Sequence, residues 1–229
     1  MSEPLFDEYA GNYEAALAEG LQTTGEDSAY FARGRVEWMQ RWIDRLEITP
    51  ANVLDFGCGT GGSTPWLLQL RGVQAHIGVD ISDASLEIAR QTHTEERARF
   101  EHVDRFSGVN QIDLAFCNGV FHHIPPADRP ACVRYVHRTL KPGGLFALWE
   151  NNPWNPGVRY IMSRVSFDRD AITLPPPQTR TLLGVNGFDV LASEFLFIFP
   201  RALAPLRFLE KPLRRLPIGG QYLTLARKR

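Results

Sequence analysis

The sequence has few cysteines, no excess of either charge and no long apolar run, and each absence excludes a class of protein. Its three cysteines, Cys58, Cys117 and Cys132, lack the paired spacing of a zinc site or a disulfide framework. Lys and Arg number 25 and Asp and Glu 26, so no global basic surface attracts nucleic acid. No apolar run approaches the roughly 20 residues that cross a bilayer. We therefore predict a reduced, cytoplasmic protein without a transmembrane segment or a nucleic-acid partner.

The length of 229 residues suits one domain that buries a sizeable core. The first residues, Met1 to Glu8, lack the basic and apolar regions of a signal peptide. The sequence also contains no internal repeat and no low-complexity segment. We expect a single α/β unit that acts on a small-molecule substrate as a monomer or a homodimer.

A glycine-rich stretch between an apolar run and a helix-like segment is the strongest local signal. The run from Val53 to Gly62 predicts a strand and a loop, and Pro65 to Leu70 predicts a helix. Glycines let the backbone turn sharply and approach a ligand, and amides at a helix N-terminus favour polar or anionic groups. The spacing also fits the dinucleotide fingerprint. However, a carboxylate at Asp55 would repel a pyrophosphate and attract an ammonium or sulfonium group.

With that acid in place, Asp55-Phe-Gly57-Cys-Gly59-Thr-Gly61 resembles the motif of the class I S-adenosylmethionine-dependent methyltransferases. Within them it resembles the small-molecule group of ubiquinone and menaquinone biosynthesis, over about Phe6 to Lys141. The resemblance implies a Rossmann-like α/β fold: a seven-stranded, mostly parallel sheet with helices on both faces and an antiparallel last strand. It also implies S-adenosylmethionine as cofactor. The acceptor would be an O, N or C atom of a small molecule, such as a hydrophobic quinone-, isoprenoid- or lipid-like compound.

The resemblance places cofactor contacts at the ends of successive strands. Asp80 ends the second predicted strand at a spacing from Asp55 near the roughly 20 residues at which an acid receives ribose hydroxyls. It could instead only cap the following helix. Asp104, at the end of the third strand, would contact the adenine amino group, although many strands end in an acid. The predicted cofactor contacts are Asp55, Gly57, Cys58, Gly59, Asp80, Ile81, Asp104, Arg105, Phe106 and Asn118.

Three side chains are candidates for accepting a proton from the methyl acceptor. His123 follows the fourth predicted strand at a sheet edge where open α/β sheets bind ligands, and imidazole accepts protons near neutral pH. Tyr13 lies in a Phe-Asp-x-x-Ala-x-x-Tyr pattern of the resembled family, and Glu150 follows the fifth strand. Each could instead serve only packing or a turn. Because His122 and His123 are adjacent and without further ligands, we predict no metal site.

The substrate contacts that we expect are Tyr9, His122, Asn151, Asn152 and Trp154. The stretch from Glu150 to Trp154 is dense in groups that can reach a substrate, but it can equally form an Asx and proline turn. We divide the chain into an N-terminal helical lid, 1–48, and a methyltransferase core, 49–229. An insertion at about 151–177, which includes Phe167 and Asp168, is expected to cover the active site.

A basic amphipathic segment, about 200–217, precedes the last strand. Its apolar residues are interspersed with Arg201, Arg207, Lys211, Arg214 and Arg215. Such a segment can contact a membrane or lipid, mediate dimerisation or pack on the domain, and packing is preferred. Two other functions stay open: a non-catalytic S-adenosylmethionine-binding regulator or partner subunit, and a nicotinamide-dependent oxidoreductase, which Asp55 disfavours.

Overall fold

The protein is described by a computed structural model over residues 13–168 and 171–229. Its helices are α1 (Tyr13–Leu21), α2 (Ser28–Arg45), α3 (Thr64–Leu67), α4 (Asp83–Thr92), α5 (Arg129–Thr139), α6 (Pro156–Arg164), α7 (Pro176–Val185) and α8 (Glu210–Leu213). Its strands are β1 (Asn52–Phe56), β2 (Ala75–Asp80), β3 (Ala98–His102), β4 (Ile112–Asn118), β5 (Leu140–Asn151), β6 (Phe188–Leu196) and β7 (Gln221–Lys228). Short 3-10 helices lie at Gln22–Thr24, Ser166–Asp168 and Arg201–Leu209.

The seven strands form one sheet in the order β3-β2-β1-β4-β5-β7-β6. The first five strands pair in parallel, and β7 runs antiparallel to both of its neighbours. The predicted fold class is therefore confirmed. Strand order reverses between β1 and β4, and open α/β sheets bind ligands beside the carboxyl ends of the strands at such a point.

Helices cover both faces of the sheet, which explains why the parallel strands are apolar along most of their length. On one face α2 packs through Met39 and Ile43, and on the other α5 and α7 pack through Val133 and Leu183. Asp27 caps α2 by accepting a hydrogen bond from the amide of Tyr30 at 2.7 Å. Residues of α2 thus share a hydrophobic core with the sheet. The division of the chain into a lid, 1–48, and a core, 49–229, stays a prediction.

The stretch from Lys141 to Gly144 interrupts the pairing of β5 with β4. Ile112 pairs with Leu140 and Leu114 pairs with Leu145, so the intervening residues leave the ladder. Gly143 has φ +76°, a backbone conformation that glycine adopts without steric cost. Beyond this irregularity, β5 runs to the ligand-binding edge of the sheet.

The basic segment packs on α2 and β6. Arg207 forms an ion pair with Glu26 at 2.7 Å and lies over the ring of Tyr30, 4.6 Å from its centroid. Arg214 donates to the buried carboxylate of Glu194 at 2.8 Å. These contacts agree with packing, while contacts with a membrane or a second copy stay predictions. Of the helices in the two described ranges, none has the length and apolar character to span a bilayer.

Candidate active site

Two cavities meet at the sheet edge where β1 and β4 end. The smaller one, of about 250 Å³, borders the glycine-rich loop and the end of β2. The larger one, of about 490 Å³, lies among α1, α2, α6 and the segment after β6. Asn118, Gly119 and His123 line both. Ligands in the two cavities would therefore face each other at these residues. We call the smaller one the cofactor cavity, the larger one the acceptor cavity and the shared residues the junction.

The glycine-rich loop is shaped by three residues with positive φ, Gly57 at +74°, Gly59 at +52° and Gly61 at +85°. A Cβ on Gly57 would lie 2.3 Å from a methyl group of Val120, so a larger residue does not fit there. A Cβ on Gly59 would meet no atom within 4 Å. The backbone at Gly59 thus borders open space in the cofactor cavity, where a ligand can approach it closely.

Asp80 connects the glycine-rich loop to the end of β2. Its carboxylate accepts hydrogen bonds from the amides of Gly59, at 2.8 Å, and Ser82, at 3.0 Å. A carboxylate offers about four lone-pair sites, so about two remain for a ligand. Burial raises the pKa of Asp80, and the hydrogen bonds from Ser82 and Gly59 oppose that rise.

Asn118 presents a further acceptor at the junction. Its side-chain oxygen Oδ1 is buried and has no hydrogen-bond partner among the described residues. Buried polar atoms are paired in the great majority of cases, so this oxygen suits a donor on a bound ligand. The cofactor cavity therefore offers acceptors for hydroxyl groups at Asp80 and for an ammonium group at Asn118.

Half of the predicted cofactor contacts line the cofactor cavity: Gly57, Gly59, Asp80, Ile81 and Asn118. The wall that the described residues form does not include Asp55, Cys58, Asp104, Arg105 or Phe106.

The residues that do not line the cofactor cavity are either buried or turned to solvent. Asp55 is buried at the end of β1, with one carboxylate oxygen 3.9 Å from His76 Nε2. Cys58 is buried as well, and this burial raises the pKa of its thiol. The Asp104 side chain is 87% exposed, because the loop after the edge strand β3 turns it outwards while Val103 faces the cavity. Phe106 packs in the core.

Four side chains form a polar cluster at the junction, which we call the junction cluster: Glu150, His122, Asp168 and His123. His122 Nδ1 lies 2.6 Å from Glu150 Oε2, and His122 Nε2 lies 3.3 Å from Asp168 Oδ1. His123 Nε2 lies 3.3 Å from the same oxygen of Asp168. The second oxygen of Glu150 accepts the amide of Phe121 at 2.8 Å. One chain of contacts thus links β5, the loop after β4 and the predicted insertion.

Contacts within the junction cluster shift the pKa values of His122 and Asp168. Burial lowers the pKa of His122, but the carboxylates of Glu150 and Asp168 outweigh it and raise this pKa to about 10. Burial raises the pKa of Asp168, but hydrogen bonds from His122 and His123 lower it to about 2. In this arrangement His122 is a cation between two carboxylates at neutral pH, and Asp168 stays ionised.

Of the predicted proton acceptors, the structure brings His123 to the junction. Glu150 is fully buried, and its carboxylate faces His122 and the Phe121 amide rather than a cavity. Because Glu150 is fully buried and lies outside the described walls of both cavities, it is placed to position His122, and its predicted contact with the acceptor stays a prediction. Tyr13 is the first residue of α1, and its side chain lies outside the described structure, as does Tyr9.

Of the predicted substrate contacts, His122 and Asn151 line the acceptor cavity. Asn152 and Trp154 do not, within the described part of its wall. The side-chain amide of Asn152 donates to the carbonyls of Pro217 and Gly219, and its oxygen accepts the Trp154 amide at 3.1 Å. Asn152 thus forms the turn that the sequence analysis kept as an alternative. Trp154 is half exposed and packs near Phe195.

Asp168 and the aromatic wall of the acceptor cavity are not among the site residues predicted from the sequence. From the sequence, Asp168 is predicted only as part of the insertion. The insertion is held against the junction because the amide of Ile172 donates to the carbonyl of His122 at 2.8 Å. Phe197, which packs on Phe31 with ring centroids 5.0 Å apart, has φ +60°, uncommon for an aromatic residue.

Known proteins with similar sequences and structures are methyltransferases. Residues 53–144 match a protein family described as "Methyltransferase domain". The N-demethylindolmycin N-methyltransferase of Streptomyces griseus is 26% identical over 173 residues, which cover 72% of this chain and 72% of that protein. The ubiquinone biosynthesis O-methyltransferase of Pseudomonas syringae pv. tomato is 31% identical over 121 residues, 49% of this chain and 50% of that protein.

A solved structure shares the fold. The S-adenosylmethionine-dependent methyltransferase from Archaeoglobus fulgidus superposes with a TM-score of 0.65 at 18% identity, and the alignment covers 88% of this chain and 95% of that one. Several curated relatives are matched over about half of their own length: 50% of the Pseudomonas protein and 54% of an uncharacterized methyltransferase of Synechocystis.

Proposed function

We propose that the chain is a class I S-adenosylmethionine-dependent methyltransferase that transfers a methyl group to a small, largely apolar molecule, a proposal that its matched domain, relatives and fold support. The observation that carries this proposal is the meeting of two cavities at Asn118, Gly119 and His123. A donor in one cavity and an acceptor in the other have their reacting atoms at this junction. Such alignment alone contributes on the order of 7–11 kcal/mol in favourable model reactions.

The cofactor cavity fits S-adenosylmethionine by the chemistry of its groups. When bound, this cofactor supplies a methyl group made electrophilic by a sulfonium. The free lone pairs of Asp80 suit the ribose hydroxyls, and the exposed side chain of Ile81 offers an apolar surface for adenine. Asn118 Oδ1 suits the ammonium group. Asp55, buried nearby, contributes a negative potential that favours a cationic ligand.

The walls of the acceptor cavity indicate the chemistry of the acceptor. Apolar side chains contribute much of this wall, including those of Phe31, Ile161, Met162 and Phe197. Its volume of about 490 Å³ falls in the range of roughly 300–1,000 Å³ that holds drug-sized molecules. At the junction the wall becomes polar. A molecule with an apolar body and one nucleophilic polar end fits this arrangement.

The junction cluster supports removal of a proton from the acceptor. His123 borders both cavities and Asp168 borders the acceptor cavity, so each can contact a hydroxyl or amine aimed at the cofactor. His122 and Glu150 hold Asp168 in place from behind. The proton would pass from the acceptor atom to this cluster as that atom becomes the nucleophile.

Labelled methyl transfer tests the proposal. The purified chain is incubated with methyl-labelled S-adenosylmethionine and a small-molecule extract of its source organism, and the mixture is partitioned between organic solvent and water. We expect label in the organic phase, and none with Asp80→Ala. Label only on a water-soluble compound would overturn the apolar acceptor. Binding of the cofactor without a labelled product in either phase would replace the proposal with the non-catalytic regulator or partner subunit.

A further inference from the structure

We propose that the junction cluster binds a divalent transition-metal ion through His122 Nε2, His123 Nε2 and a carboxylate oxygen of Asp168. The three groups come from two separate parts of the chain, the loop after β4 and the 3-10 helix Ser166–Asp168. The sequence analysis saw only the adjacent histidines and expected no site. Tertiary packing supplies the third ligand, 46 residues after His122.

The separations of the ligand atoms suit a metal ion. Each of the two Nε2 atoms lies 3.3 Å from Asp168 Oδ1, and the three residues each offer a ligand atom within 4.8 Å of those of the other two. In a tetrahedral zinc site with bonds of about 2.0–2.1 Å, neighbouring ligand atoms are about 3.4 Å apart. A charge-assisted hydrogen bond is shorter, about 2.7–2.9 Å. The contact of His122 Nδ1 with Glu150, at 2.6 Å, is short in that way, whereas both contacts with Asp168 have the length of a ligand pair.

The surroundings of the histidines orient them as ligands. Glu150 accepts a hydrogen bond from His122 Nδ1, and this contact directs His122 Nε2 towards Asp168. A carboxylate behind a metal-binding imidazole is a recurrent arrangement, because it fixes the ring and increases its basicity. Glu150 is itself held by the Phe121 amide, and the His122 carbonyl by the Ile172 amide. Phe167 packs on the ring of His123, with centroids 6.3 Å apart.

The site has room for further ligands, because all three residues line the acceptor cavity. Two imidazoles and one carboxylate with open positions suit Zn²⁺, Fe²⁺ and similar ions, whereas Mg²⁺ prefers oxygen ligands alone. In the metal-bound state the ion takes the place of the proton between His122 and Asp168. The role of the ion rests on the proposed function: an acceptor hydroxyl bound at an open position would lose its proton to water more readily.

Metal binding can be measured without any methyl acceptor. The full chain is stripped with a chelator, dialysed against Zn²⁺ or Mg²⁺, and analysed for bound metal, and Co²⁺ is added to a separate sample for visible spectroscopy. We expect one Zn²⁺ per chain, no retained Mg²⁺ and a visible absorption band from Co²⁺ in a low-coordinate nitrogen and oxygen site.

Substitutions separate this site from adventitious binding. We expect Asp168→Asn and His123→Gln to lower Zn²⁺ affinity at least 100-fold. Glu150→Gln should lower it about 10- to 100-fold, the usual effect of losing such a supporting carboxylate. The matched control is His102→Gln, because His102 pairs with the exposed Asp104 on the edge of the sheet and should not affect binding. Circular dichroism reports whether each variant is folded, because His123 also lines the cofactor cavity.

Each outcome decides between the two proposals. Absence of stoichiometric Zn²⁺ and Co²⁺ in a chain that binds S-adenosylhomocysteine would overturn the metal site and leave the proposed function standing. An equal loss of Zn²⁺ in His102→Gln would also overturn it, because binding would then be non-specific. Stoichiometric metal without methyl transfer to any fraction of the extract would retain the metal site and remove the proposed function.

Discussion

The two cavities are held together by different kinds of interaction. The cofactor cavity depends on backbone geometry: the amides of Gly57 and Gly59 bond to Val79 and Asp80, residues that end the adjacent strand β2. The acceptor cavity depends on side chains that join distant elements, such as the ring pair of Phe31 and Phe197. Short strand-end loops thus build the first, whereas tertiary packing builds the second. Substitutions that disturb the acceptor cavity should therefore leave the affinity for the cofactor unchanged.

The substitution with the largest expected effect removes Glu194, which joins β6 to α2, a helix that borders the acceptor cavity. Its buried carboxylate accepts the indole N–H groups of Trp38 and Trp42, at 2.8 and 2.9 Å, and pairs with Arg214. Glu194→Ala leaves these donors without their acceptor and should lower the free energy of unfolding by about 3–5 kcal/mol. Denaturant titration measures this loss.

The control for that experiment is Asp189→Ala, on the same strand. Asp189 is largely exposed and lies 3.9 Å from Arg229, so its loss should cost less than about 0.5 kcal/mol. Under conditions where Glu194→Ala is still folded, its affinity for S-adenosylhomocysteine should equal that of the wild type. A parallel loss of affinity would mean that the two cavities are not independent.

The complementary test changes Asp80, a residue of the cofactor cavity. Asp80→Asn removes part of the acceptor capacity that the ribose hydroxyls require, and hydrogen bonds to a charged group contribute about 1.5–3 kcal/mol each. We expect calorimetry to show an affinity for S-adenosylhomocysteine about 100-fold weaker. Asp83→Asn, an acid on the adjacent helix that does not line the described cavity wall, should bind normally. Equal affinity of both variants would exclude Asp80 from cofactor binding.

The difference between local backbone geometry and tertiary packing also explains which features could be predicted from the sequence. The mostly parallel sheet with its antiparallel last strand was implied by the resemblance that short motifs carry. Gly57, Gly59 and Asp80, predicted from the same motifs, line the cofactor cavity because the local backbone determines their geometry. Asp104 occupies a motif position, but its side chain is exposed because an edge-strand loop can turn a side chain either way, and its contact with the cofactor stays a prediction. Asp168 could not be predicted, since only packing of the insertion against the loop after β4 brings it to His122.

The aromatic wall offers a smaller test on the acceptor side. Phe197→Ala removes a ring that packs on Tyr30 and Phe31 and lines the acceptor cavity. Losing the burial of one such side chain costs about 1.5–3 kcal/mol. Once the labelled product identifies the acceptor, its KM should rise about tenfold or more, with unchanged affinity for S-adenosylhomocysteine. Leu191→Ala, on β6 and outside the described walls of both cavities, should leave this KM unaltered.

The pH dependence of cofactor binding sharpens the assignment of Asp80. Because burial raises the pKa of Asp80, its carboxylate is protonated at a higher pH than that of an ordinary aspartate. Affinity for S-adenosylhomocysteine should be complete at neutral pH and fall as pH decreases through this raised pKa, by about tenfold per unit below it. Asp80→Asn, which does not titrate, should show a flatter profile. An identical slope in both would assign the pH dependence to another group.

The smallest expected effect is that of substitutions in the basic segment, 200–217. Packing on the domain and contact with a membrane lead to different expectations for vesicle binding. Phe208 is 72% exposed, but Arg207 and Arg214 are engaged by Glu26 and Glu194, which leaves less charge for an anionic surface. We expect no cosedimentation of the full chain with vesicles rich in anionic phospholipid, and a change below about 0.5 kcal/mol in unfolding free energy for Phe208→Ser. Val185→Ser removes a similarly exposed apolar side chain on α7 and is the control. Vesicle binding that Phe208→Ser abolishes and Val185→Ser retains would show that the segment contacts lipid, and the acceptor side would then extend from the cavity to a membrane surface.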